Sequence, residues 1–407
     1  MATSNICDEL DVPRVINAAG TKTRIGGSVI RQEALEAMQA MSGSFVRLSD
    51  LQARASERIA RITGAESGYV TSGASAALLL GAAAAIAGDD LGVMNRLPNT
   101  EGIADEIVMP RTHRTGYDHA FRAAGATIVD VGTNDYHLGT GSSNVELWEI
   151  EAAISAQTVA IGYLQKSYTQ PPLEEVTALA TENNIPVIVD AAAEVPPVTN
   201  LSRFIEAGAD LVVFSGGKAI RGPQTTGIMA GRHDLIESVA LQQLDMHVED
   251  TIWSPPPELI NADKLDGIPR QGIGRSTKVG KEELAGVLKA LELFAEENHE
   301  RNELEWRQIA KRIANELATV DGLETRLSDS EDRSVAPEAI VTVHSDQTDC
   351  TATELVKSLR KKDPRIFVGA DRLHANEFTI NPMCLRDDEV EYVLEGFDSL
   401  LGSEEST

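Results

Sequence analysis

At 407 residues the chain is too long for one compact core, and its 42% hydrophobic content is ordinary for globular domains. The formal net charge is −27, with acids spread through helix faces such as "VELWEIE" (Val145–Glu151) and loops such as "DSEDR" (Asp329–Arg333). A surface so evenly acidic argues against nonspecific binding to nucleic acid or anionic lipid, and with arginine outnumbering lysine it suits a salt-rich cytoplasm that screens its self-repulsion.

The opening "MATSNICDELDVPR" carries acids where a secretory leader is basic. Residues 1–30 read as irregular, with "INAAGTKTRIGGS" rich in glycine and hydroxyls. Helical periodicity runs through "RQEALEAMQAM" and "LQARASERIARITG", the second ending on Gly64 as a C-cap. The pattern then alternates. "GYVTS" is a strand and leads to a small-residue helix from Gly73. The apolar run of that helix, Ala76–Ala87, is shorter than the roughly 18 residues a membrane span needs, so it reads as buried. "EIVMP", "TIVDVG", "TVAIGYL", "PVIVDAAAE" and "ADLVVFSGG" read as strands; "YDHAFRAAG", "VELWEIEAAIS", "LEEVTALATENN" and "SRFIEAG" are the helices between them. Short apolar runs between amphipathic helices predict a parallel sheet covered on both faces, an α/β core from roughly 60 to 235.

"SPPPE" (Ser254–Glu258) is a linker-like break, and "GIGRSTKVGKEE" leads into one long helix from Glu282 to about Asn315. Beyond it, "AIVTVHS", "TATELVKSLRKKD", "RIFVG", "EFTINP" and "DDEVEYVLEGFDSLL" read as a small β-α-β-β-α domain. The expected organisation is an N-terminal segment (1–45), a large cofactor domain (46–270), a linking region and helix (271–315) and a small C-terminal α+β domain (316–407). Cys7, Cys350 and Cys384 lie far apart, which predicts a reducing cytoplasm, no disulfide framework and no metal site.

Ligands of open α/β sheets bind beyond the carboxyl ends of the strands, and three such ends carry chemistry. In "YVTSGASAALLL" a strand ends, Gly73 permits a tight turn and a helix begins. The N–H groups of Gly73, Ala74 and Ser75 and the hydroxyls of Ser72 and Ser75 form either a phosphate cradle or a plain capped helix start. In "PVIVDAAAEVPP", Asp190 follows an apolar strand, so its carboxylate is either an N-cap or a desolvated anion needing a cationic partner. In "DLVVFSGGKAIRGPQTTG", Lys218 follows a buried strand, where a lysine is costly unless paired, neutral or covalently bound. One role joins all three. Lys218 forms an imine with the aldehyde of pyridoxal 5′-phosphate, Asp190 keeps the pyridine nitrogen protonated, and the Gly73 turn and Ser215 take the phosphate.

"TSGASAA", "VDAAAE", "FSGGKAIRGPQTTG" and "GIGRSTKVGKEE" resemble the fold-type-I pyridoxal-phosphate enzymes. Within them the chain is most similar to the branch of bacterial selenocysteine synthase and the glucosaminate-6-phosphate ammonia-lyases, as are "VINAAGTKTRIGGS" and "LQARASERIARITGAESGYVTSG". The resemblance spans about residues 14–290 and, more loosely, the C-terminal domain. It implies a mostly parallel seven-stranded-type sheet between helices with a small α+β domain. It also implies Lys218 as the Schiff-base lysine, Asp190 as the pyridinium partner, and a homodimer or higher homo-oligomer with sites at subunit interfaces. Selenocysteine synthase carries an extra N-terminal domain for its RNA. Here "PRVINAAG" comes only about a dozen residues in, and the charge of −27 is wrong for gripping tRNA, so a small substrate fits better.

Other residues have two readings each. His113, after the strand "EIVMP", either stacks on the cofactor ring or is a loop histidine. Arg24 in "TRIGGS" and Arg275 in "GIGRS" bind substrate or cofactor phosphate, or make structural loop ion pairs. Gln165, at the end of "AIGYL", reaches the cofactor's O3′ or caps its loop, and Tyr168 is similar. Lys278 and Lys281 read as surface or interface lysines and His374 as surface.

The expected reaction is α,β-elimination from a small hydroxylated amino acid or amino-sugar acid, giving a 2-oxo acid and ammonia. Lys218 is the general base. Racemase, aminotransferase and β-replacement chemistry share every step up to the carbanion and stay open, as does a non-catalytic cofactor-fold protein.

Overall fold

A computed structural model describes residues 6–133, 145–245, 247–270, 272–328 and 336–401; the acidic loop Asp329–Arg333 lies outside them. In chain order the strands are β1 (Val15–Ala18), β2 (Ser67–Thr71), β3 (Glu106–Pro110), β4 (Thr127–Val131), β5 (Thr158–Leu164) and β6 (Val187–Asp190). They continue with β7 (Leu211–Ser215), β8 (Gly227–Gly231), β9 (Leu323–Leu327), β10 (Ala339–Val343), β11 (Arg365–Val368) and β12 (Glu377–Ile380). Two compact units result: Ile30–Glu297, and Met1–Val29 with Asn298–Thr407. Among the described residues no helix is long and apolar enough to cross a membrane.

The larger unit is built on a seven-stranded sheet in the order β2-β8-β7-β6-β5-β3-β4. All neighbours are parallel except β8, which runs against β2 and β7. The central strands "VIV" and "LVVF" are buried on both faces, as a helix-covered parallel sheet requires. Helix Ala74–Ala87 is apolar all round because it is enclosed, packed on the sheet and on helix His233–Gln243. Its Gly81 lets it close on the sheet, since a Cβ there would sit 2.7 Å from Leu211 Cδ2. Helix Leu48–Thr63 buries one face (Ala53, Ala55, Ile59) and stops at Gly64, whose φ of 73° is left-handed.

Helices Gln32–Ser42 and Lys281–Glu296 pack along each other and are tied at both ends. Lys281 Nζ donates to the Met41 and Ser42 carbonyls at 3.0 and 3.3 Å, so this lysine closes a helix C-terminus. At the other end Arg31 pairs with Glu297 at 2.5 Å.

The smaller unit holds an antiparallel sheet β12-β10-β9 and a parallel pair β1-β11. Bridges Ala19–Asn381 and Gly369–Thr379 link the two. Its core includes Phe378 and Phe397, stacked with centroids 5.4 Å apart.

Two expectations are corrected. The long helix is two, Lys281–Glu296 and His299–Leu317, because Asn298 caps the second by accepting the Arg301 N–H at 3.0 Å. Residues 1–30 are not wholly irregular: "VINA" is β1, which has a partner only 350 residues later in β11.

Candidate active site

Because β2, β3, β5, β6 and β7 run the same way, their carboxyl ends share one edge of the sheet, where antiparallel β8 begins. Across that edge lie the Gly73 turn after β2, Gly227 at the head of β8, Ser215 ending β7 with Lys218 beyond it, Asp190 ending β6, Gln165 after β5 and His113 after β3.

Lys218 is half-buried in a turn closed on itself. Gly216 N–H donates to Thr226 O (2.8 Å), Arg221 N–H to Lys218 O (3.0 Å) and Gly222 N–H to Gly216 O (2.8 Å). Gly217 packs so tightly that a Cβ would lie 2.4 Å from Gln224 Cα. Arg221 adopts a left-handed φ of 60°. Its carbonyl accepts the Arg31 N–H (2.9 Å), while Arg31 Nε–H donates to Ile220 O (3.0 Å).

Asp190 stands one strand away. Burial raises its carboxyl pKa; the Ala192 N–H, which donates to Oδ1 at 3.1 Å, and the positive charges of Lys218 and Lys166 pull it back. Asp190 and Lys218 therefore act on each other electrostatically, yet among the described residues one N–H is the carboxylate's only hydrogen-bond donor. The backbone pins Asp190 from its other side, where Gln165 N–H donates to Asp190 O (3.0 Å). The neighbouring Lys166 is paired with Glu194 at 2.6 Å.

At the third end, Gly73 has a φ of 97°, open only to glycine at low cost, and a Cβ there would meet nothing within 4 Å. The N–H groups of Gly73, Ala74 and Ser75 donate to no other described residue. Gly227 lies against this turn, where a Cβ would fall 2.4 Å from the Gly73 carbonyl carbon. Ser72 Oγ–H donates to Thr277 O (2.9 Å), so its proton is spent on holding the turn Ile273–Thr277 beside the cradle. That turn carries Arg275, whose half-buried guanidinium has no ion-pair partner among the described residues. Gln243 binds the same Thr277 carbonyl (3.0 Å) and accepts the buried Tyr69 hydroxyl (2.8 Å), bracing the turn from below.

Gln165 uses its side chain locally, donating to Lys166 O at 3.1 Å. His113 is 1% exposed and packs edge-on to Tyr163, with centroids 4.7 Å apart. Burial pushes its pKa down to about 4, so the ring is neutral; Nε2–H donates to Gln170 O (2.9 Å) and Nδ1 has no hydrogen-bond partner among the described residues. Arg24 belongs to the smaller unit, exposed beside Asp371, which Lys22 bonds at 2.8 Å. Tyr168 and His374 are exposed.

Sequence reading did not single out Arg31, Lys166, Glu194 or Thr277. The lysine after Gln165 at a strand end was the one local signal.

This donor set fits a phosphorylated pyridine aldehyde: an amine, a carboxylate short of donors, and an open turn with unspent N–H groups at a helix start. The model of the SelA family, L-seryl-tRNA selenium transferase, matches residues 15–249, more than half of the chain. The chain belongs to the L-seryl-tRNA selenium transferase family. Relatives of this selenium transferase family member span its whole length. D-glucosaminate-6-phosphate ammonia lyase of Salmonella typhimurium is 28% identical over 401 residues, covering 96% of each chain. A 5′-C-glycyluridine monooxygenase-decarboxylase of Streptomyces sp is 28% identical over 403 residues, covering 96% of this chain and 91% of that one. A solved D-glucosaminate-6-phosphate ammonia-lyase matches with a TM-score of 0.79 at 27% identity, covering 98% of both chains. A serine palmitoyltransferase solved with bound PLP shares the fold, with a TM-score of 0.55 at 14% identity over 95% of this chain and 87% of that one. The architecture is that of the fold-type-I pyridoxal-phosphate enzymes.

Proposed function

We propose that this chain is a pyridoxal-phosphate-dependent lyase that releases ammonia from a small hydroxylated amino acid or amino-sugar acid by α,β-elimination. The observation that carries the reading is Lys218 and Asp190 on adjacent parallel strand ends, within electrostatic reach, the carboxylate short of donors. Full-length kinship to an ammonia lyase supports the reaction class.

Lys218 would hold the cofactor through its aldehyde, Asp190 would keep the ring nitrogen protonated, and the N–H groups of the Gly73 turn with the Ser215 hydroxyl would take the phosphate. His113 would offer a rigid neutral ring for stacking, and Gln165 would be the candidate partner for the cofactor's O3′. Pyridoxal phosphate, when bound, supplies the electron sink for the carbanion. With the cofactor bound, Lys218 would serve as the general base for the substrate's Cα proton, and loss of a β-hydroxyl as water would lead to a 2-oxo acid and ammonia. Arg275, beside the cradle and without a counter-anion among the described residues, binds the substrate carboxylate or phosphate.

The charge of −27 favours a small substrate over tRNA. A homodimer or higher homo-oligomer is supported by an apolar patch on the larger unit. Phe45, Val46 and Leu48 are exposed, as is Ile252, and Arg47 joins the two segments by donating to Ser254 O at 2.6 Å. A cytoplasmic setting accords with three cysteines that form no disulfide.

The test is a panel of serine, threonine, D-amino acids and glucosaminate derivatives, scored for ammonia and 2-oxo acid. Equal amounts of both are expected from at least one hydroxylated substrate. Stereochemical inversion without ammonia, or turnover that requires an amino acceptor, would replace the lyase with a racemase or an aminotransferase.

A further inference from the structure

We infer that Arg31, anchored by Glu297, is a positioning residue for the reactive-lysine turn; the inference rests on Lys218 being the lysine that reacts. Arg31 is remote from Lys218 in sequence but meets its turn twice: main-chain N–H to Arg221 O at 2.9 Å, and Nε–H to Ile220 O at 3.0 Å. Its Nη2 binds Glu297 Oε2 at 2.5 Å, and the arginine side chain is only 11% exposed.

These bonds go where the turn most needs them. Ile220 is fully buried, so its carbonyl has little water to turn to if Arg31 is lost. Arg221 is held in a left-handed conformation that a non-glycine residue seldom adopts, and Arg31 N–H takes the carbonyl that this conformation presents. The turn's own closing bonds, Arg221 N–H to Lys218 O and Gly222 N–H to Gly216 O, depend on that conformation. A guanidinium suits the task because its donors fan out in one plane and reach a carbonyl and a carboxylate together; an ammonium has no such fork.

The clamp is delivered by a rigid element. Arg31 precedes helix Gln32–Ser42 and Glu297 follows helix Lys281–Glu296, and Lys281 locks the far end of the same pair. Arg31 and Glu297 also border the two places where the chain enters and leaves the larger unit, after Val29 and before Asn298.

The experiment uses the full chain in two forms. Hydrogen exchange of the cofactor-free protein is followed for the peptide covering 216–226 in wild type, Arg31→Ala, Arg31→Lys and Glu297→Gln. Exchange should accelerate there by about tenfold in Arg31→Ala, less in Glu297→Gln, and little in the rest of the sheet. Imine formation with added pyridoxal phosphate, read by its visible band, should slow in the same order, with Arg31→Lys failing to restore it. A wild-type exchange rate at 216–226 in Arg31→Ala, or full rescue by lysine, overturns the inference. A general loss of protection across the unit also overturns it, since that marks support of the fold alone. Glu297→Gln keeps the test decisive if Arg31→Ala does not fold. Should the wild type form no imine band, the lysine's role fails, while the exchange result still decides whether the clamp exists.

Discussion

Two partly buried carboxylates, one in each unit, show what separates a site from a scaffold. Burial raises the pKa of both Asp190 and Glu338. Glu338, in the smaller unit, is answered by side chains: Asn381 donates to it at 2.7 Å and Thr379 also bonds it. Lys22, whose charge acts on Glu338, is paired with Asp371. Asp190 receives one backbone N–H and the charge of two lysines, and elsewhere in the larger unit the Gly73 turn, Arg275 and His113 Nδ1 keep bonding capacity that no described residue uses. Desolvation alone does not mark function; desolvation with unspent valence does.

That contrast can be broken most directly at Lys218. Lys218→Ala should abolish turnover and the imine band; measurable activity in the purified variant would dissolve the site as drawn. Asp190→Asn should still bind cofactor but slow turnover by about a thousandfold or more, because the ring nitrogen loses its anionic partner. A near-native kcat would reduce Asp190 to the structural status of Glu338.

His113 sharpens the contrast through stability. Its pKa is about 4 when folded, against about 6.5 when unfolded. Between these values the unfolded chain binds the extra proton, so stability is lost as pH falls from about 6.5 to about 4, by up to about 3 kcal/mol. Urea titrations of wild type and His113→Asn across that range should differ in slope; parallel curves would mean the ring is not held neutral. Arg275→Gln should raise KM about tenfold with kcat within a few-fold, as loss of uniform substrate binding does. Equal KM values would return Arg275 to a loop role. Glu338→Gln should be mildest, with turnover within about twofold of wild type in the same assay.

How much of this could be read from the chain follows from the range of each interaction. Strands "LVVF" and "VIV", helix Ala74–Ala87 and the three strand ends were legible because hydrophobic runs and turn residues are local signals. β8 and β9 were missed: "GIMAG" is short and bounded by glycine, and "LETRL" buries only Leu323 fully. β1 needed β11, and Arg31 needed the Ile220 and Arg221 carbonyls, pairings across hundreds of residues that leave no periodicity. The break at Asn298 was legible in principle, since asparagine opening a charged helix is a start signal, but a continuous acidic and basic run masked it.

The contact between Gly227 and Gly73 has an engineering corollary. With no space for even a methyl group on Gly227, and with Gly217 equally crowded by Gln224, the hairpin from β7 to β8 and the Gly73 turn form one block whose loop length cannot change without displacing Lys218. Retuning this scaffold toward other substrates is better sought outside that block, by substitution rather than insertion in the Ile273–Thr277 turn, which Ser72 ties to it.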